Sequence, residues 1–163
     1  MSKFWVGTDP GGKGNFGLAF LDEVGEQSIC YSVSSVDEAV RKIVSRGEPL
    51  GLGIDAPMWW SSCEGAGRKA DKRIRGRYGI HPGTVQSANS LRGAALVGGA
   101  MLAFRIREKF PDTRITETHP KALLHALKLD GTGFTERFKI PTGWSNEHEL
   151  DALIGAVLCK RRI

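Results

Sequence analysis

The chain opens with Phe4-Trp5-Val6-Gly7-Thr8-Asp9, then Pro10-Gly11-Gly12-Lys13-Gly14-Asn15, then Phe16-Gly17-Leu18-Ala19-Phe20-Leu21. The first stretch is short, apolar, and rich in β-branched and aromatic residues, and it ends on a carboxylate. It reads as a largely buried strand. Pro, Gly and Asn in the second stretch are turn chemistry, and Phe16 to Leu21 reads as a second strand. Gly25-Glu26 marks another turn, and Ser28 to Val33 is a third strand. The three form an antiparallel meander.

Outward from the meander the pattern changes to helical. Ser35 is a candidate N-cap with Glu38 three residues later, as in a capping box, and Ala39, Val40, Ile43 and Val44 follow at helical spacing. Gly47 is a natural stop. Leu50 to Ile54 is a fourth strand that ends at Asp55-Ala56-Pro57, because Pro57 cannot donate to a ladder. Gly65 to Tyr78 is a charged helix, and Ser90 to Phe110 a longer one in which Gly98-Gly99 permits close packing. Thr113 to Thr118 is a fifth strand, Pro120 to Leu129 a short helix, and the last helix runs from near Glu147 to about Lys160. This order predicts an α/β chain with helices on both faces of a mixed sheet. Strands four and five arrive through helical crossovers and should run parallel to strand one.

Composition narrows the function classes. With 163 residues, 40% hydrophobic and 25% charged, a packed core is expected and wholesale disorder is not. No repeat or dividing linker is present, so one domain over residues 1–163 is expected. No apolar run approaches the ~20 residues of a membrane span, and the opening residues lack a secretory h-region. Cys30, Cys63 and Cys159 show no C-x-x-C spacing, which disfavours a disulfide framework and a zinc ribbon. A reduced, cytoplasmic setting is expected, with no membrane partner. A net charge of +5 points to polyanionic partners such as nucleic acid or nucleotides.

Acids fall at corresponding places. Asp9 ends strand one, Asp55 ends strand four, and Glu117 lies near the end of strand five. Carboxyl ends of parallel strands share the edge where open α/β sheets bind ligands. Asp151 lies on the first turns of the last helix, at the border of an apolar stripe of Leu150, Leu153, Ile154, Val157 and Leu158. Gly155 lies one turn on and Glu147 one turn earlier. Gathered carboxylates repel unless a cation neutralises them, and Mg²⁺ or Mn²⁺ takes such oxygen ligands and promotes phosphoryl transfer. Asp9, Asp55 and Asp151 are the candidate metal ligands. With Glu117 they form the candidate catalytic set, supplemented by Glu147 and His148. Taken singly, Asp9 and Asp55 also fit turn residues, Glu117 a surface acid, and Glu149 the completion of a cap with Asn146.

The densest basic run is Arg68-Lys69-Ala70-Asp71-Lys72-Arg73-Ile74-Arg75-Gly76-Arg77. Arg68, Lys72, Arg73, Arg75 and Arg77, with Lys13, are candidate contacts to a nucleic-acid backbone. A solvated helix face is the plainer reading of the run, and Asp71 is spaced to pair with Arg75 at i+4. Trp59-Trp60 suits base stacking or a hydrophobic plug. The 10–15 loop does not match a P-loop, and no Gly-x-Ser-x-Gly elbow is present.

Four groups of residues resemble those of the domain-of-unknown-function 429 family. They are Gly53-Ile54-Asp55-Ala56-Pro57; Arg68-x-x-Asp71-x-x-x-Arg75 ahead of Gly79-Ile80; Glu117-x-x-Pro120; and Glu147-His148-Glu149-Leu150-Asp151-Ala152. The resemblance implies a ribonuclease H-like fold with strand order 3-2-1-4-5. It also implies a divalent-metal site where strands one and four adjoin, and nuclease activity on DNA or RNA. By position, Asp9, Asp55 and Asp151 match the first-strand, fourth-strand and last-helix acids of the wider superfamily, and Glu117 matches the family's own strand-five motif. Two other functions stay open: nucleotide-phosphate handling of the ATPase type, and nucleic-acid binding without catalysis.

Overall fold

The computed structural model describes residues 3–11, 14–58, 68–85, 93–140 and 143–161. The chain runs β1 (Phe4–Asp9), β2 (Phe16–Asp22), β3 (Ser28–Val33), α1 (Val36–Arg46), β4 (Gly51–Ile54), α2 (Lys69–Tyr78), α3 (Gly93–Lys109), β5 (Arg114–Glu117), α4 (Pro120–Leu127), α5 (Gly131–Phe138) and α6 (Glu147–Arg161). The five strands form one mixed sheet in the order β3-β2-β1-β4-β5. The first three are antiparallel, while β4 pairs parallel to β1 and β5 parallel to β4. Among the described residues no helix is long and apolar enough to cross a membrane.

The helices cover both faces. On one face, Phe4 and Val6 of β1, Phe16, Leu18 and Phe20 of β2, and Leu52 and Ile54 of β4 pack on Ala39, Val40 and Ile43 of α1 and Leu102 and Ile106 of α3. On the other, Trp5, Ala19 and Leu21 pack on α6, with Phe134 of α5 and Leu123, Leu124 and Leu127 of α4 adding to the same core. The alternation along each strand is the period-two pleat written as sequence.

Two expectations are corrected, and one helix was not foreseen. Gly131–Phe138 forms a helix, α5, that the turn-like Asp130-Gly131-Thr132-Gly133 concealed. Its start is capped by the Asp130 carboxylate, which accepts from Gly133 N–H at 2.8 Å. The apolar stripe expected of α6 is not a border between core and solvent. Every residue from Glu149 to Val157 is buried, because the sheet lies on one side and the α4–α5 layer on the other. The box at the start of α1 is half formed. Ser35 Oγ accepts from Glu38 N–H, but the Glu38 carboxylate takes Ser34 N–H and Oγ.

Glycine sets how close α6 lies. A Cβ on Gly7 would stand 1.8 Å from the Ala152 carbonyl oxygen, one on Gly17 1.9 Å from that of His148, and one on Gly53 2.4 Å from that of Gly155. The helix backbone therefore rests directly on the sheet backbone, which only glycine permits.

Candidate metal centre

The parallel register places Gly7 opposite Gly53. Two residues on, Asp9 and Asp55 leave the sheet on the same face as those glycines. The close seat of α6 then lowers Asp151 onto both. One carboxylate oxygen from each of Asp9, Asp55 and Asp151 lies within 4.8 Å of the other two. The start of α6 is held by polar bonds. Asn146 Oδ1 accepts from Glu149 N–H at 3.0 Å, which is the expected cap, and the Glu149 carboxylate accepts from Ser145 N–H and from Ser32 Oγ on β3. On the far face of the sheet, Gly98 and Gly99 of α3 press against Pro10 and Ala56. The close packing foreseen for this pair is therefore against the loops that carry the acids.

Few cations reach the three acids. His148 Nδ1 is 2.7 Å from Asp9 Oδ2. Lys121 Nζ, on the first turn of α4, is 2.6 Å from Glu147 Oε1 and 3.7 Å from Asp151 Oδ2. The Asp151 side chain is only 3% exposed, and no donor among the described residues hydrogen-bonds to it. The Asp55 side chain has no hydrogen-bond or ion-pair partner among them. Burial, and then the charges of Asp9 and Asp151, hold the Asp55 carboxyl well above the usual carboxylate range. Burial also raises Asp9, against the opposing hydrogen bond and charge of His148. Asp151 is pushed up to about 7, by burial first, with Lys121 opposing and Asp9 adding to it.

Glu117 does not join this group. Its in-register partner on β4 is Ile54, one position short of Asp55, so it alternates to the opposite face. There it enters a second acidic group with Asp71 and His119. Arg68 fills that group, with Nη2 2.7 Å from Asp71 Oδ1 and 2.5 Å from Glu117 Oε1. His119 Nε2 and Met58 N–H complete the shell of Glu117 at 3.0 Å each. Burial raises Glu117, but the bonds from Arg68, His119 and Met58 outweigh it and bring the carboxyl down to about 2.

The basic residues separate in the same way. Arg68 is spent inside, its side chain 12% exposed. The partner of Asp71 is this arginine, in place of the expected Arg75, which donates to the Val85 carbonyl at 3.1 Å. Lys72, Arg73 and Arg77 are exposed on α2. Lys13, Trp59, Trp60 and Cys63 lie outside the described residues. Burial pushes the Cys30 thiol up to about 12 and the Cys159 thiol to about 11, which keeps both in the less reactive protonated form near neutral pH.

Sequence reasoning missed Lys121. The signal was its place directly after Pro120, in the first turn of the helix that leaves β5, where a long side chain can reach back over the sheet edge. No family model, curated protein or solved structure matches the chain.

Proposed function

We propose that the Asp9–Asp55–Asp151 pocket binds Mg²⁺ or Mn²⁺ and that the protein hydrolyses phosphodiester bonds of DNA or RNA on a ribonuclease H-like architecture. The observation that carries this reading is three converging carboxylates, one without any partner and another buried without a hydrogen bond among the described residues. Such a set is costly unless it is protonated or met by a cation. The donors fit the ion: all are carboxylate oxygens, the ligand type that hard divalent cations prefer. A divalent ion held there would supply electrophilic activation of a phosphate and of the attacking water.

The chain's own groups have separate tasks. Asp9, Asp55 and Asp151 hold the ion. His148, fixed to Asp9 through Nδ1, is placed to carry a proton at the rim of the pocket. Glu117 keeps the loop after β4 in place by accepting from Met58 N–H, and so acts on Asp55 indirectly. The exposed Lys72, Arg73 and Arg77 supply backbone attraction for a polyanion.

The test is cleavage of labelled single-stranded DNA, duplex DNA and RNA with Mn²⁺ or Mg²⁺. The wild-type chain should cut at least one of them and stop on chelation. Asp9→Asn should slow cutting by about 10²–10³-fold, the scale of losing a group that stabilises developing charge, and should leave salt-dependent binding intact. Equal rates for Asp9→Asn and wild type would overturn the assignment.

A further inference from the structure

We propose that the Lys121 ammonium is the built-in second cation of the Asp9–Asp55–Asp151 pocket, so that the substrate-free chain binds one divalent ion and not two. This rests on the metal-site reading above and deepens it. Phosphoryl-transfer sites lined by several acids commonly hold two ions about 3.5–4 Å apart. Here a side chain already supplies positive charge at the pocket wall.

The placement is specific. Lys121 belongs to α4 and crosses to α6, where Nζ meets Glu147 Oε1 at 2.6 Å and stands 3.7 Å from Asp151 Oδ2. Glu147 and Asp151 are one helical turn apart, so they form a ladder that holds the ammonium against the pocket. Its charge also acts on Asp9 and Asp55. Lys121 is 3.7 Å from Asp151 without a hydrogen bond, and Asp55 has no partner among the described residues. The lysine therefore neutralises part of the pocket and leaves oxygen ligands free.

Charge counting gives the stoichiometry. Three carboxylates carry three negative charges, and Lys121 returns one positive charge. The remaining two match one divalent ion. A second ion would leave the pocket with an excess of two positive charges beside the nearly buried Asp151, a cost that low-dielectric surroundings enlarge. Glu147 adds negative charge that Asp9 and Asp151 both feel, but its side chain is 65% exposed, so water screens it more than the three pocket acids and it offsets Lys121 only in part.

The experiment counts bound Mn²⁺ by electron paramagnetic resonance, on the metal-free full chain without substrate, at pH 8. Wild type should bind one ion. Lys121→Ala should bind two, the first about tenfold tighter, as expected when a unit positive charge beside a divalent ion is removed. Lys121→Arg should again bind one. Two ions in wild type would overturn the proposal and leave the metal-site reading standing. One ion in Lys121→Ala at unchanged affinity would do the same. No bound Mn²⁺ in wild type would overturn both. Lys121 is half-exposed on α4, so Lys121→Gln, which removes the charge and keeps most of the side-chain length, is the second neutral variant: it should also bind two ions, and one ion at unchanged affinity would overturn the proposal even if the alanine variant folds poorly.

Discussion

Two acidic groups lie beside the same sheet edge, one gathered under α6 and the other between β5 and α2, and they are balanced in different ways. Asp71 and Glu117 receive an arginine fork between them, a histidine and a backbone N–H, and Glu117 is ionised down to about 2. Among the described residues, Asp9, Asp55 and Asp151 receive one histidine and one lysine 3.7 Å away, and Asp151 holds its proton up to about 7. The first group is an internal salt bridge that closes on itself. The second is an unfinished one. Proximity of carboxylates alone therefore does not support a metal site in this fold; the missing counter-charge is what favours the proposed one.

Removing the counter-charge from the finished group should have the largest effect. Arg68→Ala removes the one guanidinium shared by the buried Asp71 and the part-buried Glu117, leaving Glu117 to His119 and Met58 N–H and Asp71 to a backbone N–H, and should cost about 3–5 kcal/mol in urea unfolding. It should leave Mn²⁺ affinity at the other group unchanged. A loss of Mn²⁺ binding equal to that of Asp55→Asn would show that the two groups act as one and would break the contrast.

Gly7→Ala attacks the unfinished group through the backbone. The new Cβ has no room beside the Ala152 carbonyl, so α6 must shift, at a cost of about 1–3 kcal/mol. Asp151 moves with the helix, and Mn²⁺ binding should weaken in parallel. Calorimetric Mn²⁺ titration of the folded variant reads this, and unchanged affinity would show that the helix seat does not set the pocket.

The pH dependence should differ in sign, with the smallest effect per unit. Asp151 titrates at about 7 folded against an ordinary 3.8. Between those values the folded chain holds a proton that the unfolded chain has released. Stability of the metal-free protein therefore falls as pH rises through that window, by up to about 1.4 kcal/mol per unit for one proton. Glu117 titrates at about 2 folded against an ordinary 4.5. There the unfolded chain holds the extra proton, and stability falls as pH drops from 4.5 towards 2. Saturating Mn²⁺ should flatten the first slope and leave the second. Urea midpoints from pH 3 to 8, with and without Mn²⁺, measure both, and a neutral-range slope that Mn²⁺ does not change would sink the assignment.

Much of this architecture was legible in the residues. The meander, the crossovers to β4 and β5, and the start of α6 follow from turn chemistry and periodicity. Asp9 and Asp55 were legible because each ends an apolar run at a proline-bearing loop. Glu117 was misgrouped because a strand end marks an edge and not a face; one register position sends the side chain across the sheet. Asp71 was given to Arg75 by helix spacing, but its Arg68 partner also reaches Glu117, 49 residues away in sequence, and no local rule contains that bond. Helix α5 was hidden because glycine and threonine at its start read as a loop, and burial of Phe134 and Thr135 overrides that weak preference.

By itself the amino-acid order determined the strands and most of the helices, which residues alternate inward, and which carboxylates reach one edge. These are properties of neighbours along the chain, governed by dihedral preference and period. The tertiary structure alone decided which acids meet each other and which meet an arginine or a lysine. That depends on register across strands and on how closely α6 rests on glycine, and electrostatic energy varies too steeply with such distances for a linear code to reveal it.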